Sequence, residues 1–533
     1  MAEWREKKTK FNFLTFVVVF IFIAIVTITI IKLIKGGNAD LKTGEITYDK
    51  SLLEEEKDYF QKKIGDKKFA KDLKISARFT YNGEELKENE IIYKEYVPTV
   101  GFNQGTLNIS MAEAEAISKP ISSITTNCSN ASAETNCVQE YKPEALDWVE
   151  ISHLTAGRRV VSIDNNYYLD GDPKSGLLRV VTFETEDFDE VKDIAKADTK
   201  PINTNNTLSF AQTGVNAISR AMLLDSSRFS NYGAYFAEKI SDFLLKKDLT
   251  HISSEVSYHD GCRGGRDTMT LCADWRTLDS IKALGTDIVE LTGNHNNNYG
   301  ADDNIATINK YHELGWATVG GGINETEAKK PLRIESAKTE SNDYTTLQNK
   351  KGANITFIAV NQSTSTVGNG ELASGDQPGA NGYDEATVNA QITAAKERGD
   401  FVLVDIQFSE CYCYPNEGQE DYECDSPIPG QADFFRSFID RGADMVVGTQ
   451  AHQPQTFELY NGKPIYYGLG NLMFDQTYWP GTERSLILTH YFVNGNYVQT
   501  RISPTVYDKS YQPALMDEAS AESYVTRLIN ATK

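Results

Sequence analysis

The chain has 533 residues, of which 40% are hydrophobic, 11% aromatic and 24% charged, a composition that supports buried cores and excludes wholesale disorder. Acidic residues outnumber basic ones by 75 to 53, so the formal net charge is −22. A molecule of that charge repels nucleic acid and other polyanions, so we expect no nucleic-acid partner, and any anionic substrate needs a local site that carries a cation.

An uncharged apolar run lies near the start, at residues 13–31; as a helix it spans roughly 28 Å, about the thickness of a bilayer core. Four basic residues precede it: Arg5, Lys7, Lys8 and Lys10. The positive-inside rule then keeps the tail cytoplasmic and the rest of the chain outside the cell. We predict a cytoplasmic tail and a single-pass anchor at residues 1–35. A cleaved signal peptide ending at residues 37–39 is the alternative, although Lys32 and Lys35 follow the run.

The seven cysteines fall in local groups, as they do in short loops closed by disulfides in an oxidising compartment. The groups are Cys128 with Cys137, Cys262 with Cys272, and Cys411 with Cys413 and Cys424. We predict disulfides within the first two groups, while the pairing in the third stays open. A structural zinc site is the alternative, but the sequence contains no CxxC pair.

Three regions follow the predicted anchor. Residues 36–70 are polar and rich in lysine and glutamate, with a helical run at 52–63, and are predicted to form a stalk or linker. Residues 71–204 contain the short strand patterns LKISARFTY, GRRVVSIDNNYYL and LLRVVTFE. They predict a small α+β domain, in which nothing indicates chemistry and a spacer role suffices.

Residues 205–533 alternate apolar strands with amphipathic helices, which predicts βαβ units and a largely parallel, buried sheet. The strand runs are TLSFAQTG, DLTHIS, TDIVELTG, WATVGG, NITFIAVN, FVLVDIQF, DMVVGT and PIYYGLG. The predicted helices are residues 235–246, 278–284, 304–314, 385–398 and 431–441.

Polar side chains follow six of these strands. They are Asn216, Glu255, the pair Asn294 and His295, Glu410, His452 and Asn471. Ligand crevices form at the carboxyl ends of strands in open α/β sheets, so we expect these residues to converge on one site. The GNH tripeptide at 293–295 adds an amide oxygen and an imidazole, both competent metal ligands. A histidine of this kind is more often a structural residue than a ligand. A second glycine-led motif, GTQAH, lies at 448–452, and the two motifs in this order resemble those of metallophosphoesterases, which favours the metal interpretation.

Six motifs occur in a recognisable order. They are TGVNAISR (213–220), THISSE (250–255), TDIVELTGNHNNNYG (286–300), GWATVGGGINETEAKKP (315–331), DQPG (376–379) and GADMVVGTQAHQPQTFELYNGKPIYYGLGNLMFD (442–475). Together they resemble the CapA/PgsA family of bacterial capsule (poly-γ-glutamate) biosynthesis proteins, relatives of the calcineurin-like metallophosphoesterases. The resemblance covers roughly residues 205–505. It implies a metallophosphoesterase-like layered α/β domain at 205–533.

The resemblance also implies roles for the strand-end residues around a divalent metal such as Mn, Zn or Mg. The implied metal ligands are Glu255, Asn294, His295 and His452. The implied catalytic residues are Glu410, His295 and His452, with the metal polarising a phosphoryl or acyl group while Glu410 or an activated water assists. The implied substrate-binding residues are Asn216, Arg220, Gln450 and Asn471. Arg220 equally fits a role as a helix cap, and His251 equally fits a buried structural residue.

Three positions depart from the family pattern. Asn298 stands where many relatives have an aspartate, and Gln407 and Gln450 stand where the later motifs commonly have histidines. Amides are neutral and weaker ligands, so a site built from them holds a metal less tightly. These departures count against a tightly held two-metal centre.

Two hypotheses for function follow. The first is a metal-dependent hydrolase of the phosphoesterase type that serves synthesis, anchoring or remodelling of a cell-surface polymer. The alternative is a non-catalytic accessory subunit that binds the polymer or a membrane synthase. The metal content of the purified protein distinguishes the two hypotheses, since stoichiometric metal favours the hydrolase and a metal-free folded protein favours the accessory subunit. We assign no role to His153, His259, His312 and His490, and a disulfide between Cys262 and Cys272 either stiffens the rim of the site or only stabilises the fold.

Overall fold

The structure, a computed structural model, describes residues 44–64, 69, 71–81, 83–117, 146–186, 191, 206–230, 233–266, 268–336, 344–362, 371–411 and 424–531. The predicted membrane helix and the predicted pair Cys128 and Cys137 lie outside these residues. Within the described part of the chain, no helix combines the length and the apolar character needed to cross a membrane.

The described residues form two compact units. The first unit contains the described residues as far as Arg78, the segment Leu86–Ile91 and the described residues from Val180 to 191. The second contains the described parts of Phe79–Glu85, Ile92–Arg179 and everything described from residue 206 onward. The residues assigned from sequence to a small domain at 71–204 are thus divided between the two units, and a boundary near 204 stays a prediction.

The elements have the following bounds. The first strands are β1 (Ile46–Tyr48), β2 (Leu73–Tyr81), β3 (Glu90–Gly101), β4 (Asn108–Ile109), β5 (Asp147–Glu150), β6 (Arg158–Val160), β7 (Ser162–Ile163) and β8 (Leu177–Glu184). The next are β9 (Thr207–Ala217), β10 (Leu249–Ser254), β11 (Ile288–Glu290), β12 (Ala317–Val319), β13 (Gly321–Gly322), β14 (Leu332–Glu335), β15 (Thr346–Gln348), β16 (Ile355–Asn361) and β17 (Gly379–Ala380). The last are β18 (Phe401–Gln407), β19 (Met445–Thr449), β20 (Phe457–Tyr460), β21 (Lys463–Tyr466), β22 (Asn471–Phe474), β23 (Arg484–Val493), β24 (Asn496–Val506) and β25 (Ala514–Leu515). The α-helices are α1 (Glu54–Ile64), α2 (Met111–Ala116), α3 (Ser227–Ser230), α4 (Ser241–Leu244), α5 (Leu278–Ala283), α6 (Ala301–Glu313), α7 (Glu325–Ala328), α8 (Glu385–Arg398), α9 (Gln431–Asp440) and α10 (Glu518–Asn530).

The first unit contains helix α1 and strand β1. Strand β1 pairs in parallel with the start of β2, where Ile46 lies opposite Leu73. Helix α1 buries Phe60 and Ile64, and the ring of Phe60 meets that of Phe183 edge to face, 5.7 Å between centroids. These contacts make the helical run at 52–63 part of a folded unit, where the sequence predicted a stalk.

Two mixed sheets form the centre of the second unit. One has eight strands in the order β12-β11-β10-β9-β23-β24-β25, with β22 also paired to β9, and β9 to β12 run parallel. The other has seven strands in the order β15-β14-β16-β18-β19-β21-β20, and its central strands β16, β18, β19 and β21 are parallel. The alternating pattern correctly predicted the parallel strands. It did not show that they divide between two sheets, because that depends on pairings between distant segments.

The two sheets pack face to face, with helices on their outer faces. Apolar side chains of both sheets, among them Phe210, Phe357 and Leu403, form one buried cluster between them. Helices α5 and α6 pack on the outer face of the eight-stranded sheet, and α8 and α9 pack on that of the seven-stranded sheet. The predicted layered α/β class is confirmed at this level.

Part of the segment before residue 204 belongs to the core of the second unit. Val97, Val149 and Tyr167 share a buried cluster with Tyr491 and Val498 of the β23–β24 hairpin. A hydrogen bond strengthens the connection, since the backbone N–H group of Val160 donates to the side-chain Oε1 of Gln499 at 2.6 Å. Strands β3, β5 and β6 are therefore packed against the C-terminal hairpin.

The helix predicted at 235–246 is interrupted. A short 3-10 turn covers Tyr235–Ala237, α4 follows at Ser241–Leu244, and Ile240 between them leaves the helical region with φ at −120°. The side-chain amide of Gln512 donates to the carbonyl oxygen of Tyr235 at 2.8 Å. The same carbonyl oxygen accepts the backbone N–H of Glu238 at 3.3 Å, which is the bond of a 3-10 turn.

Two disulfides close loops in the second unit. Cys262 and Cys272 are bonded, with a Cα–Cα distance of 5.9 Å, which confirms the predicted pair. Cys411 is bonded to Cys424, with a Cα–Cα distance of 6.0 Å. The pairing that the sequence left open is therefore decided for these two residues, and Cys413 lies outside the described residues.

Candidate functional site

The predicted site residues lie at the carboxyl ends of parallel strands in both sheets. Glu255 directly follows β10, and Asn294 and His295 lie in the loop after β11. Glu410 follows β18 and His452 follows β19. Because β10 and β11 are neighbours in one sheet and β18 and β19 in the other, these loops meet along a common edge, which we call the crevice. Asn471 differs from the sequence expectation, since it begins β22 instead of ending a strand.

Three buried amides join the two sheets at this edge. The Nε2 atom of Gln407 donates to Oδ1 of Asn294 at 3.1 Å and to Oε1 of Gln450 at 2.7 Å. The Nε2 atom of Gln450 also donates to Oδ1 of Asn294, at 3.2 Å. The amide oxygen of Asn294 thus accepts two hydrogen bonds, which occupies both of its lone pairs. Gln407 and Gln450, which stand where the family commonly has histidines, therefore form hydrogen bonds with each other and with Asn294.

The two crevice histidines are held by amides in the same way. Nδ1 of His295 lies 2.7 Å from Oδ1 of Asn298, and Nδ1 of His452 lies 2.9 Å from Oδ1 of Asn471. An amide oxygen only accepts hydrogen bonds, so each Nδ1 carries the proton and each Nε2 keeps its lone pair. Metal-binding histidines are commonly oriented by such a bond. Asn298 also accepts a bond from the backbone of Leu271, which anchors it.

Both histidines are neutral at physiological pH. Burial lowers the pKa of His452 to about 3, and the neighbouring His295 and Arg220 oppose its protonation further. Burial also lowers the pKa of His295, again with a contribution from the charge of Arg220. Arg220 and His452 also share a neighbour, since both lie against the ring of Phe474. The functional roles of His295, His452 and Arg220 stay predictions.

Arg220 is held in place by a residue that the sequence analysis missed. Its guanidinium donates to the backbone carbonyl of Asp475 and lies 5.0 Å from the ring centre of Phe474. The Asp475 carboxylate accepts the backbone N–H of Ala221 at 2.6 Å, so Asp475, and not Arg220, caps the turn that begins here. The ring of His452 lies 5.3 Å from Phe474 as well. Asp475 is the last residue of the closing motif at 442–475, and its place in that motif was the one sequence feature that could have indicated a role for it.

Carboxylates also belong to the crevice. Glu255 is 1% exposed; among the described residues no side chain hydrogen-bonds to its carboxylate, and the backbone of Asn294 is the one hydrogen-bonding group that favours its ionised form. Burial raises the pKa of Glu255 well above its usual value, and the charges of Glu410, Glu290 and Glu371 raise it further. Burial and the charge of Glu410 raise the pKa of Glu371 to about 7. Glu371 lies outside every motif, and nothing in the sequence indicated that it would join this site.

Asn216 lies beside Glu255, because its backbone carbonyl oxygen accepts the N–H of Glu255 at 3.0 Å. It lines a small cavity with Ile252, Tyr258 and Tyr311, residues that belong to the core beneath α5 and α6. Its side-chain amide nitrogen has no hydrogen-bond partner there. A direct role for Asn216 in substrate binding stays a prediction.

The predicted metal ligands have suitable donor atoms but are not gathered at metal-binding distance. Among the described residues, a single group of three His, Cys, Asp or Glu side chains brings its ligand atoms within 4.8 Å of one another, and it consists of His251, Glu290 and Asp405. This buried group could hold a metal ion. Glu255, His295 and His452 do not form such a group, and Asn294 is engaged by two glutamines, so their role as metal ligands stays a prediction.

The family of the bacterial capsule synthesis protein PGA_cap matches residues 209–476, half of the chain. This chain belongs to that family. The PGA_cap match runs from β9 to the residues just after β22 and includes every residue of the crevice named above. The resemblance recognised from the six motifs is thereby confirmed.

Two related PGA_cap proteins come from Bacillus. The chain is 26% identical over 247 residues to the capsule biosynthesis protein CapA of Bacillus anthracis, which covers 46% of this chain and 53% of that protein. It is 23% identical over 279 residues to the PGA biosynthesis protein CapA of Bacillus subtilis, which covers 52% and 66%. The chain thus spans about half to two thirds of the length of these relatives. The solved NAD nucleotidase of Haemophilus influenzae aligns with 13% identity and a TM-score of 0.28, covering 60% of this chain and 55% of that chain.

Proposed function

We propose that this protein acts in the synthesis, anchoring or remodelling of a cell-surface polymer of the poly-γ-glutamate type, and that its crevice binds an anionic group of that polymer. The family supports the setting, since the Bacillus relatives are named for capsule and PGA biosynthesis. The observation that supports the binding site is the grouping of Arg220 and His452 against the ring of Phe474, at 5.0 and 5.3 Å from its centre.

Charge makes this grouping necessary for such a partner. A protein with a net charge of −22 repels a polyanion unless a local cation receives it. Arg220 supplies a permanent positive charge; its Nε atom makes no hydrogen bond, although it lies 3.8 Å from the carboxylate of Asp475 in an ion pair. A guanidinium binds carboxylate or phosphate oxygens through charge-assisted hydrogen bonds. The carboxylates of Glu255 and Glu410 repel an anionic group, so they favour its binding at Arg220.

A second candidate is a metal-dependent hydrolase related to the metallophosphoesterases. The observation in its favour is that His295 and His452 both keep Nε2 lone pairs. A divalent cation bound there would polarise a phosphoryl or acyl oxygen. In this candidate Glu410 assists as a base, and Asn294 has to release its bonds to Gln407 and Gln450 to become a ligand.

We further propose that the segment at 13–31 anchors the protein in the cell membrane with the crevice outside the cell. The basic residues before that segment support this orientation. In this location the crevice would meet the polymer or the membrane synthase that makes it.

The binding proposal is tested with the full-length protein and a fluorescently labelled poly-γ-glutamate oligomer. Arg220→Gln removes the positive charge, so we expect the affinity, measured by fluorescence anisotropy, to fall roughly tenfold, the effect of losing one charge-assisted bond. Arg398→Gln is the matched control, because Arg398 ends α8 and pairs with Asp400, at the opposite end of β18 from the crevice. Equal affinity of the two variants, both folded, would contradict the proposal.

A metal measurement separates the two candidates. Hydrolysis of the polymer that stops on chelation and is lost in His295→Ala and His452→Ala would favour the hydrolase. Polymer binding that is unchanged by chelation, without hydrolysis, favours the binding role. His312→Ala serves as the control for both histidines, because His312 contacts Thr318 and Tyr344 instead of the crevice.

A further inference from the structure

Three ionisable side chains lie between the two sheets, apart from the residues of the crevice. His251 comes from β10, Glu290 from β11 and Asp405 from β18, and each is 0% exposed. Their ligand atoms all lie within 4.8 Å of one another. His251 and Glu290 belong to the eight-stranded sheet and Asp405 to the seven-stranded sheet, so the group spans the interface. We call it the inter-sheet cluster.

The polar atoms of the inter-sheet cluster are incompletely paired. Neither ring nitrogen of His251 has a hydrogen-bond partner, and Oε2 of Glu290 has none. Nε2 of His251 lies 3.4 Å from that same oxygen. Buried polar atoms are normally paired, and leaving one unpaired costs about 1 to 3 kcal/mol. The imidazole is packed against the ring of Phe357, 5.4 Å between ring centres. An apolar ring of this kind offers no hydrogen bond to the unpaired nitrogens.

A second buried histidine in the same layer shows the contrast. His490 has both nitrogens paired, Nδ1 with the hydroxyl of Thr500 at 2.8 Å and Nε2 with Oε1 of Gln212 at 3.1 Å. Gln212 in turn donates to the carboxylate of Asp405. The surroundings can therefore satisfy a structural histidine. His251 instead directs an unused nitrogen toward two carboxylates.

The two carboxylates of the cluster have no basic partner. Among the described residues, no lysine or arginine forms an ion pair with Glu290 or Asp405. Two ionised carboxylates buried without such a partner would cost several kcal/mol. A divalent cation with two carboxylates and one neutral imidazole has no net charge, so it removes this cost and pairs the orphaned atoms together.

We propose that His251, Glu290 and Asp405 bind one divalent transition-metal ion of the zinc class between the two sheets. One imidazole nitrogen and two carboxylate oxygens are donors that Zn²⁺ uses in proteins. The site is closed to solvent, so the ion is acquired as the chain folds and stabilises the contact between the sheets. The role is structural and independent of the crevice.

The full-length protein tests this proposal directly. Purified with its disulfides formed and dialysed against a chelator, it should retain one equivalent of zinc by elemental analysis. Glu290→Gln and Asp405→Asn keep the side-chain shape but remove a negative charge, so each should lose that equivalent. His490→Gln, in the same layer, should keep it. Far-UV circular dichroism checks that the variants are folded. A third variant, His251→Leu, should also lose the zinc, and the two amide variants keep the test valid if it fails to fold.

A second measurement locates the ion. Refolding in Co²⁺ should give visible d–d absorption in the wild type and in the double variant His295→Ala/His452→Ala, but not in Glu290→Gln. Absorption lost only in the histidine double variant would assign the ion to the crevice and overturn the proposal. Wild-type protein that contains no metal and takes up neither Zn²⁺ nor Co²⁺ on refolding would also overturn it, because the three side chains would then share protons instead.

Discussion

Gly214 lies at the closest approach between β9 and the turn before β22. A Cβ atom at this residue would lie 2.1 Å from the carbonyl oxygen of Gly470 and 2.8 Å from the hydroxyl oxygen of Ser485. The same carbonyl accepts the backbone N–H of Val215 at 2.9 Å. The close contact holds the first strand of the site against the loop that leads to Asn471.

We expect Gly214→Ala to destabilise the protein. Any added atom has to push the backbone of Gly470 away, and overpacking of this kind costs about 1 to 3 kcal/mol. The free energy of unfolding in denaturant should fall by that amount. Gly157→Ala is the control, because a Cβ there meets its nearest atom at 3.6 Å. Equal stability of the two variants would show that the backbone gives way at no cost.

The neutral amides of the crevice show how one residue type changes the character of a site. Gln407, Gln450 and Asn294 satisfy one another without an ion. Histidines or carboxylates in such positions would leave lone pairs or negative charges that a metal could balance. The amide set is therefore stable as it stands, which is why we place binding before metal-dependent hydrolysis.

At the scale of elements, a short 3-10 turn, Tyr168–Asp170, is tied to the C-terminal hairpin by charge. The carboxylate of Asp170 accepts bonds from Lys247 at 2.6 Å, from Arg501 at 2.7 Å and from the hydroxyl of Tyr491 at 2.6 Å. Burial opposes ionisation of Asp170, but these partners outweigh it and lower its pKa below the usual value.

This network predicts a pH-dependent loss of stability. Because the folded-state pKa of Asp170 is lowered, its contribution is fully present above the unfolded-state pKa of about 3.9 and is lost as the pH falls through the folded value. Asp170→Asn should cost about 2 kcal/mol at pH 7, and the difference from the wild type should shrink below about pH 4. Chemical unfolding at several pH values measures it. Asp302→Asn, exposed on α6, should change stability little, and a pH-independent difference for Asp170→Asn would contradict this account.

At the scale of the whole molecule, the N-terminal segment and the charge distribution predict its orientation. The basic residues before residue 13 keep that end in the cytoplasm. Protease added to intact cells should therefore remove the C-terminal part while a cytoplasmic marker stays intact. Immunoblotting with an antibody against the C-terminus provides the measurement. A C-terminus that is protected in intact cells but digested after lysis would reverse the proposed orientation.

The sequence by itself determined the layered α/β class, the family and most of the crevice. Parallel strands are buried on both faces, so they appear as continuous apolar runs, and the polar residue after each run marks the edge where ligands bind. Glu255, His295 and His452 could be found in this way because each is local to its own strand end. The disulfide between Cys262 and Cys272 was predictable for the same reason, since ten residues separate the two cysteines.

Only the tertiary structure decided which distant segments meet. The packing of residues around Val160 on the C-terminal hairpin depends on a bond to Gln499, and no local pattern records it. Asp405 lies near His251 because two separate sheets pack face to face. The hydrophobic periodicity of a strand indicates which of its side chains are buried, but not which residues of the other sheet they contact. The inter-sheet cluster therefore emerges from contacts between residues that are far apart in the chain.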